Sequence, residues 1–107
     1  MLSSQTAAPE TAQDDTLQLI TPTGERIPNA ALDRWVTDVT PAELREMHRD
    51  MVAVRRIDSE GMALQRQGQL ALWAPAQGQE GVQIGTAHAS RADDFAFPSY
   101  RELGVNG

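Results

Sequence analysis

The feature that most constrains the fold of this chain is a helix start at Thr40-Pro41-Ala42-Glu43. Threonine followed three residues later by glutamate is a capping box, in which each side chain accepts a hydrogen bond from the backbone N–H of the other residue. Proline fits between them because the first turn of a helix needs no N–H donor there. Gly68 is a typical helix stop. The sequence therefore predicts one long helix from Thr40 to about Gln67.

One face of this predicted helix is apolar except for a single carboxylate. A buried aspartate needs a partner, so we expect Asp58 to pair with Arg55 or with an arginine from another segment. Gly61 costs about 1 kcal/mol relative to alanine inside a helix, and we expect it to permit the close approach of another segment. A methionine-rich face of this kind needs a surface to cover it. Its members at helical spacing are Leu44, Met47, Met51, Val54, Asp58, Gly61 and Met62.

The segment before the helix carries weaker signals. We expect the polar stretch from Met1 to Asp15 to be a disordered arm. Leu17 to Ile27 is predicted to be a short hairpin around the turn Thr21-Pro22-Thr23-Gly24, and it is too small to be stable without a body to lie on. Asn29 to Val39 is predicted to be a linker. Its expected anchors are Trp35 and Val36.

The segment after the long helix predicts one more helix between extended pieces. Gln69 to Pro75 is an extended link that ends at proline. Gly78-Gln79-Glu80 then opens a second helix that continues to about Ser90, and Arg91 to Asp94 is a turn. Phe95-Ala96-Phe97 is predicted to be a short strand-like piece before Pro98.

Composition excludes several classes of function. The net charge of -6 disfavours nucleic-acid binding, which needs clustered cations. There is no apolar run long enough to span a membrane, and the N-terminus lacks the basic and apolar regions of a signal peptide. The absence of cysteine excludes disulfides and thiolate metal sites. We therefore expect a cytoplasmic protein without nucleic-acid or membrane partners.

The strongest chemical candidate is Tyr100-Arg101, which follows Pro98. A guanidinium presents forked donors and a phenol adds one more, so the pair is suited to hold a phosphate. The alternative is a tyrosine in the core beside an arginine in a surface ion pair. On these residues alone that alternative is the more common arrangement, because arginine is only one ingredient of an anion site.

The other candidates favour structural roles over chemical ones. His48 and His88 lack a paired ligand spacing, which favours surface or hydrogen-bonded histidines over a catalytic role. Asp93-Asp94 could bind a cation, but adjacent carboxylates in a turn are usually solvated. Gly78-Gln79-Glu80-Gly81 is a helix start rather than a phosphate loop. Trp73 could line a pocket, although an anchor in a core or interface is the usual role of such a residue.

Taken in order, the motifs of residues 40–107 resemble one enzyme family. That family is the alpha subunit of thiamine-diphosphate-dependent 2-oxo acid dehydrogenases, the decarboxylating component of the pyruvate and branched-chain 2-oxo acid dehydrogenase complexes. The motifs that carry the resemblance are Arg55-Arg56, Gln65-Arg66-Gln67-Gly68, Ala74-Pro75, Gly78-Gln79-Glu80, Gly85, Asp93-Asp94 and Phe97-Pro98-Ser99-Tyr100-Arg101-Glu102-Leu103-Gly104-Val105.

The resemblance implies a fold, a cofactor and a set of site residues. The fold is α/β, with this chain as the N-terminal, mainly helical part of a doubly wound, thiamine-diphosphate-binding domain. Tyr100 and Arg101 stand at positions that hold the diphosphate end of the cofactor, and Ser99 beside them is the third expected cofactor-binding residue. Leu72 and Trp73 match a region near the substrate pocket. The resemblance also implies a tetramer of two alpha and two beta subunits, and transfer of the acyl group to a lipoyl-bearing acyltransferase.

The resemblance also implies what this chain lacks. The Mg²⁺ ligands are expected downstream of Gly107, and the activating carboxylate belongs to the beta subunit, so no catalytic or metal-binding residue is assigned here. We therefore expect a truncated chain that is inactive alone. Its predicted parts are residues 1–39, an arm, hairpin and linker, and residues 40–107, part of the dehydrogenase domain. The alternative function is a non-enzymatic helical interaction module that uses the face from Leu44 to Met62.

Overall fold

A computed structural model describes residues 16–106, so the predicted arm from Met1 to Asp15 lies outside the described residues. The mainly helical character expected of the chain is confirmed in the described part, which contains no strand and only one antiparallel bridge, between Ile20 and Arg26. The chain divides into two compact units between Asp38 and Val39. Its helices are α1 (Asp33–Val36), α2 (Pro41–Arg66), α3 (Glu80–Ala89) and a 3₁₀ helix (Leu103–Asn106).

The first unit is built around a tight turn rather than a full hairpin. The Thr21 N–H donates to the Glu25 carbonyl at 2.8 Å, and Gly24 takes a positive φ of 89° that favours glycine. The predicted turn is therefore confirmed, whereas the two strands are reduced to a single bridge. The expected anchoring by Trp35 is wrong, because α1 buries none of its residues and the Trp35 side chain is 72% exposed.

Both ends of α2 form as the sequence predicts. Thr40 Oγ1 accepts from the Glu43 N–H at 3.2 Å, and Glu43 Oε2 accepts from the Thr40 N–H at 2.7 Å, which completes the capping box. At the other end Gly68 adopts a φ of 74°, and the Gln69 N–H donates to the Leu64 carbonyl at 2.9 Å. This is the backbone pattern with which a glycine closes a helix.

The second unit packs α3 and the 3₁₀ helix against α2. Its buried apolar residues are Val54, Ala76 and Ile84. The predicted strand-like piece Phe95–Phe97 is wrong: in the described part of the chain no neighbouring strand pairs with it, and Phe97 is 92% exposed. Within residues 16–106 no helix combines the length and apolar character needed to cross a membrane.

Candidate functional site

The candidate site is the turn that carries Tyr100 and Arg101, between Pro98 and the 3₁₀ helix. Ser99 opens this turn, and its N–H donates to Glu102 Oε2 at 2.7 Å. The Ser99 hydroxyl donates to the same oxygen, and this bond lowers the pKa of Glu102. The Glu102 carboxylate therefore stabilises the turn and accepts from both donors of Ser99.

Arg101 is anchored at two atoms. Its Nε donates to the Pro75 carbonyl at 2.8 Å, and its own carbonyl accepts from the Gln83 amide at 2.9 Å. Tyr100 beside it is 82% exposed. A core tyrosine with an ion-paired arginine, the alternative left open by the sequence, is therefore wrong, because Arg101 forms no ion pair within residues 16–106.

The loop that carries Pro75, the hydrogen-bond acceptor for Arg101, is itself bonded to α2 through Asp58. This carboxylate is 1% exposed, and its Oδ1 accepts from Trp73 Nε1 at 3.0 Å and from the Ala76 N–H at 2.8 Å. The expected arginine partner for Asp58 is wrong, because Arg55 forms its ion pair elsewhere, with Glu80. Neutral donors from the following loop satisfy the carboxylate instead.

The expected close approach at Gly61 is confirmed, and the approaching residue is Trp73. A Cβ at this glycine would lie 2.3 Å from the indole ring. Trp73 is thus an anchor between α2 and the loop, which is the usual role for a tryptophan of this kind. Its neighbour Leu72 is 81% exposed. Of the two predicted pocket residues, Leu72 therefore faces solvent and Trp73 is held in place.

A second carboxylate, Glu80, fixes the start of α3. It is 5% exposed, forms an ion pair with Arg55 of α2 and accepts from the Gly78 N–H at 2.8 Å. The hydrogen bond from Arg55 is the largest cause that lowers the pKa of Glu80, to about 2, against a smaller opposing effect of burial. Glu80 therefore stays ionised at neutral pH and joins the two helices.

This ion pair predicts a stability difference that depends on pH. The folded-state pKa of Glu80 lies below its ordinary value of 4.5, so its stabilisation is complete above that value and is lost as the pH falls toward about 2. We expect Glu80→Gln to unfold at lower urea concentration than the unsubstituted chain near neutral pH, and the difference to shrink across that acidic range. Urea unfolding followed by circular dichroism measures it.

The control for this prediction is Glu60→Gln. Glu60 forms an ion pair with Arg56 at 2.7 Å, but both side chains are more than half exposed. Exposed pairs contribute about 0 to 1 kcal/mol, so this variant should unfold close to the unsubstituted chain throughout. A difference for Glu80→Gln that stayed constant down to acidic pH would refute the role of its carboxylate.

Several contacts of the site were not predicted from the sequence. Ser99 and Glu102 have the same spacing as Thr40 and Glu43, so the hydrogen bond from the Ser99 N–H to the Glu102 carboxylate could have been recognised. Gln83 carries no such signal, because its two partners in the turn lie 18 and 21 residues away.

The histidines fit the structural role favoured by the sequence. His88 Nε2 lies 2.8 Å from Asp50 Oδ2, and His48 is exposed. Among the described residues, no cluster of three or more His, Asp or Glu side chains is placed to hold a metal ion.

Comparison with known proteins identifies the family of this chain. The family model described as "Dehydrogenase E1 component" matches residues 48–106, which is more than half of the chain. The chain belongs to the dehydrogenase E1 component family. The match includes α3, the 3₁₀ helix, most of α2 and the turn with Tyr100 and Arg101, so the candidate site lies within the E1 match.

Curated relatives of this E1 chain are alpha subunits. The 3-methyl-2-oxobutanoate dehydrogenase subunit alpha of Mycobacterium tuberculosis is 46% identical over 79% of this chain and 21% of its own length. The pyruvate dehydrogenase E1 component subunit alpha of Bacillus cereus is 38% identical over 86% of this chain and 24% of its own length. The chain thus spans about a fifth to a quarter of the relatives it matches. No solved structure matches it.

Proposed function

We propose that this chain is a segment of the alpha subunit of a thiamine-diphosphate-dependent 2-oxo acid dehydrogenase. The complete enzyme would decarboxylate pyruvate or a branched-chain 2-oxo acid oxidatively and pass the acyl group to a lipoyl group. Membership of the E1 family and the names of the relatives support this proposal. The observation that carries it is the anchored Arg101 guanidinium beside an exposed Tyr100.

The donor set of this turn fits a diphosphate. Arg101 is held through its Nε, and its two terminal nitrogens have no hydrogen-bond partner among residues 16–106. These terminal nitrogens are the guanidinium atoms that bind phosphate oxygens. The Tyr100 hydroxyl likewise has no partner within that range and is available as a further donor. Ser99 fits less well, because Glu102 accepts from both its N–H and its hydroxyl. We therefore assign the diphosphate to Tyr100 and Arg101, with Ser99 as a neighbour that shapes the turn.

Thiamine diphosphate, when bound, supplies the nucleophilic carbon that adds to the 2-oxo acid and accepts the electron pair left by decarboxylation. The residues of this chain would bind and orient the cofactor rather than take part in bond breaking. Leu72, exposed on the loop that Trp73 anchors, is our candidate for contact with the substrate side chain. The proposed Mg²⁺ ligands and the activating carboxylate belong to other parts of the enzyme.

The surface around the turn is suited to contact a partner subunit. Phe95 and Phe97 are 88% and 92% exposed, and exposed aromatic clusters mark interaction sites. We propose that a beta subunit covers this surface in a tetramer of two alpha and two beta subunits, with the lipoyl-bearing acyltransferase as the next partner. A doubly wound α/β domain and a cytoplasmic location complete the proposal, and a chain without cysteine is compatible with a reducing compartment.

The alternative function as a helical interaction module is less well supported. It needs the face from Leu44 to Met62 as a free surface. On that face Val54, Asp58 and Gly61 are already buried within the second unit. The middle of the face is therefore already occupied within the unit, so the face is not free along its whole length.

The test of the proposal is Arg101→Ala in the complete alpha subunit with its beta partner. Hydrogen bonds to charged groups contribute about 1.5 to 3 kcal/mol, so the dissociation constant of thiamine diphosphate should rise about 10-fold or more. Titration calorimetry with saturating Mg²⁺ measures it. Arg91→Ala is the control, because Arg91 lies in an exposed turn and its side chain has no described hydrogen bond. Unchanged affinity in Arg101→Ala would exclude Arg101 from the diphosphate site.

A further inference from the structure

Gln83 is the buried residue that ties the candidate turn to the helical frame. It lies in the middle of α3 and is only 2% exposed. Its Nε2 donates to the Arg101 carbonyl at 2.9 Å and to Gln79 Oε1 at 3.2 Å, while its Oε1 accepts from the Gly104 N–H at 3.0 Å. One amide therefore bonds the turn on both sides of Glu102 and Leu103.

We propose that Gln83 is a positioning residue for the diphosphate site, holding the backbone of Arg101 so that its guanidinium meets the diphosphate. The inference rests on the proposed function. Two anchors define the direction of the Arg101 side chain: Gln83 fixes its carbonyl, and Pro75 fixes its Nε. Releasing the first anchor frees the backbone from which the side chain projects, and a small misplacement of a binding group is costly.

Contacts on two sides hold the helix that carries Gln83. The first turn of α3 is joined to α2 through Glu80 and Arg55. Gly104 packs closely on the other side, where an added Cβ would lie 3.0 Å from both Gln83 Oε1 and the Val54 side chain. The amide therefore has little freedom to rotate, and its two hydrogen bonds to the turn have a fixed direction.

The amide satisfies both bonds to the turn because it carries a donor and an acceptor. A glutamate of nearly the same shape would keep an acceptor for the Gly104 N–H, but as a carboxylate it has no donor for the Arg101 carbonyl. A methionine of similar length would lose both bonds and keep the apolar packing. Gln83→Glu and Gln83→Met thus both remove the hydrogen bond to the Arg101 carbonyl, in two different ways. An effect that both variants share can be assigned to the loss of that bond.

The experiment measures thiamine diphosphate affinity in the dehydrogenase assembled from the complete alpha subunit and its beta partner, with saturating Mg²⁺. We expect the dissociation constant to rise about 10-fold in both Gln83→Glu and Gln83→Met. Both variants lose the hydrogen bond to the Arg101 carbonyl, and a change of this size is in line with that loss. Thr86→Ala is the control, because its hydroxyl bonds to the Val82 carbonyl within the same helix and does not touch the turn. Its dissociation constant should stay within about 2-fold of the unsubstituted enzyme.

A double variant separates positioning from general stability. If Gln83 acts through Arg101, Gln83→Met should add at most about a 2-fold change once Arg101→Ala has removed the guanidinium, because the two effects share one cause. Effects that multiply in full would overturn the positioning role. Unchanged affinity in both Gln83 variants would overturn it too, while leaving the proposed function intact if Arg101→Ala still weakens binding. Unchanged affinity in Arg101→Ala itself would instead refute the cofactor role of Arg101.

Discussion

Replacing Gly61 with alanine should destabilise the second unit, although alanine favours helices more than glycine does. The gain in helix propensity is about 1 kcal/mol. Against it, the added Cβ would lie 2.3 Å from the Trp73 ring, which is closer than two carbon atoms can approach. The ring must move, and its hydrogen bond to Asp58 then lengthens or breaks. Overpacking costs about 1 to 3 kcal/mol and the bond adds about 1 kcal/mol. We therefore expect a net loss of about 2 kcal/mol.

The matched control for this substitution is Gly85→Ala in α3. An added Cβ there meets nothing within 4 Å, so only the helix propensity changes. We expect Gly85→Ala to stabilise the chain by up to about 1 kcal/mol. Urea unfolding followed by far-UV circular dichroism should therefore shift in opposite directions for the two variants. A shift to higher urea concentration in both would show that Trp73 does not occupy the space beside Gly61.

The helix ends were predictable because the residues that define them lie close together in the sequence. The capping pair Thr40 and Glu43 are three residues apart, and Gly68 closes α2 through a bond from Gln69 to Leu64, five residues back. Such local bonds depend on residue type and spacing alone. The resemblance added the diphosphate role of Tyr100 and Arg101, which remains a prediction.

The attachments of the site were not predictable in the same way. Asp58 bonds to Ala76, and Arg101 bonds to Pro75, across 18 and 26 residues of sequence. The acceptor in the second case is a backbone carbonyl, which every residue carries, so no residue type identifies it. The expectation that Asp58 pairs with arginine failed for the same reason: charge suggested the partner, but the fold brought neutral donors to the carboxylate.

The failed expectation for Phe95–Phe97 has a different cause. Its alternating apolar pattern is typical of a strand, but a strand needs a neighbour for its backbone N–H and carbonyl groups. In residues 16–106 none lies beside it, and both phenylalanines remain exposed. The pattern fits the partner surface that we propose for a beta subunit, and no local feature of the sequence could distinguish that use from a strand in this unit.

Asp58→Ala should be the most destabilising substitution of a charged residue in the second unit. It leaves Trp73 Nε1 and the Ala76 N–H without their acceptor, in a place where the carboxylate is 1% exposed. Each unsatisfied buried donor costs about 1 to 3 kcal/mol. We expect a total loss of about 3 to 4 kcal/mol, visible as a large decrease in the urea concentration at the midpoint of unfolding.

Asp58→Asn distinguishes the acceptor from the charge. Asparagine keeps one oxygen where both donors converge, so it should cost only about 1 kcal/mol, the difference between a charged and a neutral acceptor. Asp93→Ala, in an exposed turn, should stay within about 0.5 kcal/mol of the unsubstituted chain. Because the loop held by Asp58 also carries Pro75, the acceptor for Arg101, the complete alpha subunit with Asp58→Ala should in addition bind thiamine diphosphate more weakly. Equal losses of stability for Asp58→Asn and Asp58→Ala would show that the negative charge, rather than the shared oxygen, holds the loop to α2.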